Sequence, residues 1–276
     1  MEEPLKVAFP FWCAVVAVPS GPGSHPVVIS HGSTTLTVPH GSLRHQAFPA
    51  RSPSKRLEVL KDLSLPALAV SLVLVPVFVQ APWVRTAPMA AALFSFVLLG
   101  AGIALERHPD RRWSERGALL VGFSGSWLGG SLFWGWGRLH PLWHLPVEAF
   151  ALPLALGGLS GRWRLAGSFY LASLLGTAAT DAAMAFSGVM PLWPQILNAP
   201  LDQAPALLHQ AALAVLQPLP LAVVGLSALV LLLLCSRLRG LGPAGELAAA
   251  TLAATLSVDG LFLIAALLSP SLSGLL

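Results

Sequence analysis

At 276 residues the chain has room for a single domain. Its composition (55% hydrophobic residues, 10% charged residues and a mean hydropathy of +0.73) decides the solvent. Soluble globular chains carry roughly 25% charged residues, so a deficit this large excludes a water-solvated fold and calls for lipid around the protein. A net charge of +4 and a pI near 9.7 do not indicate nucleic acid, because the basic residues fall in short loops between apolar spans and act as topology determinants. Cys13 and Cys235 are the only cysteines, which excludes a disulfide framework and a cysteine zinc site.

Residues 1–56 differ from the rest, being rich in Pro, Gly, Ser and His, with His25, His31, His40 and His45 among them. The apolar run Val7 to Val18 has the length of a signal-peptide core, but its leader is net acidic where such a signal needs positive charge. The stretch reads as a disordered tail or as an extension from a start codon placed too far upstream. Residues 57–276 read as the membrane domain.

Seven apolar spans follow, each near the roughly 20 residues that a bilayer requires. They cover about 64–80, 88–105, 117–136, 146–160, 165–187, 211–235 and 246–268. The expected architecture is therefore all-α: a polytopic transmembrane bundle of about seven helices. Pro153 predicts a kink in the fourth span, and Pro218 and Pro220 predict an irregular start to the sixth. Loop charges set the orientation. Arg51, Lys55, Arg56 and Lys61 precede span one, and Arg107, Arg111, Arg112 and Arg116 fall on the same side, as do Arg162, Arg164, Arg237 and Arg239. Only Arg85 and Arg138 fall on the other side. Such a bias places the N-terminus in the cytoplasm and the C-terminus outside.

Two acids lie within apolar spans, in similar settings: Thr177-Ala-Ala-Thr-Asp181 and Thr255-Leu-Ser-Val-Asp259. A carboxylate at membrane depth costs at least about 2.5 kcal/mol, so each needs a partner, a proton or a purpose. Both spans run outward. Asp181 falls roughly 24 Å along span five and Asp259 roughly 20 Å along span seven, at 1.5 Å per residue. Glu148 occupies the outer first turn of span four, with Arg138, His140 and His144 just before it. The polar residues thus converge in the outer half of the bundle, where Asp181 and Asp259 are the candidate ion or proton binders and Glu148, His144, His140, Arg138, Thr177, Thr180 and Thr255 the supporting cluster.

Two readings of that cluster are open. In one, the aspartates titrate or bind a cation in a cavity reached from outside. In the other, Thr177, Thr180, Thr255 or Ser257 hydrogen-bond them and lock helices together, and Arg138 neutralises Glu148 or Asp181. His140, His144 and Glu148 stand four residues apart, as metal ligands on one helical face would, but Pro141 and Pro146 interrupt any such helix, and no metal site is assigned. Trp127, Trp134, Trp136, Trp143, Trp163 and Trp193 fall mostly at predicted span ends and read as an interfacial belt. Gly122, Gly125, Gly129 and Gly130 give span three a small-residue face for close helix packing, with dimer or pigment contact as the other use. The chain holds no glycine-rich phosphate loop, no His-Glu-x-x-His helix and no Gly-x-Ser-x-Gly elbow, so a non-enzymatic role is expected and no cofactor is named.

The run Val-Pro-Val-Phe-Val-Gln-Ala-Pro-Trp-Val-Arg over 75–85, the Gly/Trp-rich stretch 122–137, His-Leu-Pro-Val-Glu-Ala at 144–149 and Gly-Thr-Ala-Ala-Thr-Asp at 176–181 carry a resemblance. Together they resemble a cyanobacterial integral-membrane family classified only as a domain of unknown function, over about residues 57–268. The resemblance implies a plasma or thylakoid membrane and carries no activity, cofactor or catalytic residue. The leading expectation is a proton- or cation-coupled transporter of small solutes with a polar cavity in its outer half. The alternative is a non-catalytic assembly or scaffold protein that holds complexes of the photosynthetic membrane. In both cases the lipid bilayer is a partner and nucleic acid is not.

Overall fold

The computed structural model describes residues 63–200 and 202–268, so the expectations for residues 1–56 lie outside the described residues. Among the described residues the regular structure is helical throughout, with no strand. Helix α1 (Leu65–Thr86) starts at Ser64, whose hydroxyl accepts from the amide of Ala67, and at Pro66 in its first turn. Pro76 lacks the N–H that would continue the ladder, and the helix widens into a π turn over Pro76–Gln80 before resuming. Ala87 alone links it to α2 (Pro88–Glu106). Asp110 caps α3 (Arg111–Leu132) by accepting from the Arg112 amide at 2.9 Å, and a second π turn extends it through Phe133–Gly137.

The predicted fourth span is not one helix. It is a chain of short pieces: a 3₁₀ turn at Pro141–Trp143, α4 (His144–Glu148), a 3₁₀ turn at Ala149–Ala151 and α5 (Leu152–Gly158). Pro153 sits in the first turn of α5, so it starts a new helix instead of kinking an old one. The segment still runs antiparallel to α6 (Arg164–Phe186), with Glu148 level with Thr177 and Ala155 against Gly167. After α7 (Trp193–Asn198), the predicted sixth span is also divided. Helix α8 (Ala204–Val215) ends before α9 (Pro218–Arg239), because Gln217, preceding a proline, is held in an extended conformation with ψ 150°. Helix α10 (Pro243–Leu268) closes the described chain.

Helices α1, α2, α6, α9 and α10 are long and apolar enough to cross a membrane. Helix α3 has comparable length but is less apolar, and packing explains why. It lies against α1, α2 and α6 and buries Gly117, Gly122, Trp127, Gly130 and Ser131 among others, so little of it needs to suit lipid. Helices α1, α3, α6 and α10 form the inner group, with α2 outside α3, α5 outside α6 and α9 outside α10. Their core joins Leu119, Phe123 and Trp127 of α3 to Phe169 of α6, Ala69 of α1 and Leu247 of α10. Helix α8 is tied to α10 by His209 Nδ1, 3.0 Å from the Ala266 carbonyl. Large apolar side chains such as Phe96, Leu154, Leu226 and Ile264 are exposed, whereas Ala, Gly and Thr line the helix contacts. That inside-out distribution is what lipid as solvent selects. The protein is a multi-pass helical membrane protein.

Candidate functional site

The second π turn and the 3₁₀ turn after it swing the chain back so that α4 lies across the ends of α3 and α6. His144, the first residue of α4, stacks on Phe133 with ring centroids 4.1 Å apart, and Trp134 meets its edge. Its Nδ1 lies 3.0 Å from Asp181 Oδ1 and its Nε2 lies 3.3 Å from Glu148 Oε1. All three side chains are 15–17% exposed. An ionised carboxylate only accepts, so a carboxylate on each ring nitrogen matches an imidazole that carries both protons. Glu148 is held further by Thr177, whose hydroxyl donates to Oε2 at 3.0 Å. The Tyr170 hydroxyl donates to the Glu148 carbonyl and accepts from the Ala151 amide, which pins the broken segment to α6.

Asp259 on α10 is placed differently. Its Oδ2 lies 2.6 Å from the Thr180 hydroxyl, which is also 3.1 Å from the Gly176 carbonyl. That hydroxyl has one proton and serves one acceptor at a time. No cationic side chain among the described residues forms an ion pair with Asp259. It forms part of the wall of an open cavity of about 170 Å³ between α1, α3, α4, α6 and α10, together with Gln80, Ser126, His144, Glu148 and Thr180. Asp181 stands behind His144, outside that lining.

The remaining expected residues are spread out. Thr255 returns its hydroxyl to the Thr251 carbonyl at 3.2 Å and sets its methyl against Gly176, where an added Cβ would come within 2.8 Å. Ser257 bonds its own helix at Ala253 and is exposed. His140 is exposed beside Trp143 and takes no part in the cluster. Arg138 does not neutralise Glu148 or Asp181. Among the described residues it makes no ion pair, and its carbonyl accepts from Trp193 Nε1 at 2.8 Å, while His144 supplies the positive charge. Among the described residues no group of three His, Cys, Asp or Glu side chains is placed to hold a metal ion.

The glycine face of α3 is used within the chain. A Cβ on Gly122 would clash with the Ala166 carbonyl, one on Gly125 would press the Tyr170 ring, and one on Gly129 would reach the Glu148 Cα at 3.0 Å. Gly130 faces Gln80. The tryptophans divide. Trp136 and Trp143 are exposed, but Trp127 and Trp193 are buried because each indole N–H finds a backbone carbonyl, of Ala91 and of Arg138. Gln80 adds a contact that its place in an apolar run does not reveal. Its amide, 2% exposed, donates to the Trp127 carbonyl and to Ser131 Oγ and ties α1 to α3. A lone glutamine between Pro76 and Pro82 in an apolar run was the available signal, as was Tyr170, the only tyrosine of the chain.

Comparison with known proteins gives a family without an assigned role. The chain belongs to the DUF3120 family, described as protein of unknown function, which matches residues 69–267. No curated protein and no solved structure matches the chain.

Proposed function

We propose that this protein is a small multi-pass transporter, not an enzyme, in which Asp259 takes up a proton or a cation and couples it to passage of a small solute. One observation carries the reading. Of the two intramembrane aspartates, Asp181 is neutralised by His144, whereas Asp259 faces a polar cavity with one hydroxyl as its partner. An intramembrane acid left in that condition marks an ion or proton site. The cavity, at about 170 Å³, has room for water or a small ion and is below the roughly 300 Å³ at which small-molecule sites begin. The loop charges orient the N-terminus to the cytoplasm, so the cavity is reached from the outer or lumenal side. A plasma or thylakoid membrane of a cyanobacterium is the setting in which we would look for it.

The assembly reading is weaker. The glycines that would have met a partner are filled by the chain's own helices, leaving Trp136 and Trp143 as its support. Electrometry of proteoliposomes on a solid-supported membrane separates the two. A jump in proton or sodium concentration is expected to displace charge transiently in the wild type and not in Asp259→Asn. A wild type that displaces no charge on either jump would overturn the transporter reading.

A further inference from the structure

Asp259 and Thr180 are shared by two cavities that differ in polarity. On one side lies the polar cavity just described. On the other lies an apolar cavity of about 350 Å³ bounded by α6, α8, α9 and α10. Met184, Val224, Ala228, Leu231 and Leu263 supply its walls, and Asp259 is the one charged side chain among its described lining residues.

The packing of α9 explains the space. At its Arg237 end the helix lies close against α10, where Cys235 is buried with Ala248, Ala249 and Leu252. Toward Pro218 it buries nothing, and Val224, Ser227 and Ala228 stand off from α6 and line the cavity instead. The volumes divide the labour. The polar cavity falls below the roughly 300–1,000 Å³ range of drug-sized ligand sites, whereas 350 Å³ falls within it. An occupant of the apolar cavity meets mostly hydrocarbon, with the hydroxyls of Thr180, Ser187 and Ser227 and a single charge, the Asp259 carboxylate.

We infer that the solute taken at Asp259 is an amphiphilic organic cation, with its charge at the carboxylate and its apolar body in the cavity between α6, α9 and α10. This rests on reading Asp259 as a cation site. A neutral amphiphile would leave the carboxylate without a counter-charge, and an anion would be repelled by it. A small hydrophilic cation would leave the apolar cavity unfilled.

Tetraphenylphosphonium is the probe, with equilibrium binding measured on the full chain purified into nanodiscs. The wild type is expected to bind it saturably and at least tenfold more tightly than tetramethylammonium. Asp259→Asn and Ala228→Leu are each expected to weaken it tenfold or more, while Leu226→Ala, on the exposed face of α9, leaves it unchanged. Val224→Phe replaces Ala228→Leu if the latter is not monodisperse. Binding that survives both Asp259→Asn and the cavity-filling variant would be partition into lipid and would overturn the inference. A wild type that displaces charge on a proton or sodium jump but does not bind the probe overturns this inference alone. One that does neither overturns the transporter reading with it.

Discussion

Asp181 and Asp259 reach the same bundle through nearly the same local sequence, each four residues after a threonine on an apolar helix. The structure treats them in opposite ways. Asp181 is gripped by an imidazole that is itself shared with Glu148, so three side chains from α4 and α6 form one ionic unit. Asp259 meets a hydroxyl from the neighbouring helix. The difference does not come from the helices that carry the acids. It comes from what passes alongside, since α4 brings His144 to α6 at the level of Asp181, whereas the short helix against α10, α8, meets it at Ala266, beyond Asp259. In a low-dielectric bundle a carboxylate's role is set by its neighbour across the gap.

The comparison breaks most readily at His144. His144→Ala leaves Glu148 and Asp181 mostly buried and facing each other without the cation, a loss of about 3–5 kcal/mol. Denaturant unfolding in detergent should show it, and a change below about 1 kcal/mol would mean that the cluster is not an ionic unit. Asp181→Asn should cost less, about 1.5–3 kcal/mol, the range for a hydrogen bond to a charged group. A double-mutant cycle sharpens the contrast. His144 with Asp181 should show coupling above about 0.5 kcal/mol, and His144 with Asp259, which share a cavity wall but no hydrogen-bond partner, a smaller coupling. Asp259→Asn keeps an acceptor for Thr180 and should change stability by about 1 kcal/mol or less while abolishing charge displacement. Equal destabilisation by the two Asn variants would erase the distinction. The smallest effect is expected at Arg138, where Ala should stay within about 0.5 kcal/mol of wild type by the same unfolding measurement.

How much of this was legible in the sequence depended on the physics behind each feature. Pro88–Glu106 and Arg164–Phe186 agree closely with the spans read from hydropathy, because an apolar run bounded by proline or charge has only one way to be a membrane helix. Hydropathy alone does not divide the fourth and sixth spans; the prolines do, Pro218 and Pro220 marking the irregular start expected of the sixth, whereas Pro153 opens a new helix where a kink was expected. The convergence of Glu148, His144, Asp181 and Asp259 followed from depth alone. The choice of His144 over Arg138 as the counter-charge did not, because it depends on how the turn after Gly137 winds, and the permanent charge of the arginine pointed the wrong way. Trp127 is grouped with the interfacial tryptophans although it lies in the middle of the span 117–136. Its burial depends on a carbonyl of α2 that no one-dimensional pattern reveals.

Tyr170 adds something of a different kind. Because the chain contains a single tyrosine, ring-deuterated tyrosine introduces one vibrational probe into the whole protein, already seated where the broken segment joins α6. Its C–O stretching frequency depends on whether the phenol donates to the Glu148 carbonyl. Infrared difference spectra would therefore time any lifting of that segment during a working cycle, without attaching a dye or altering a residue.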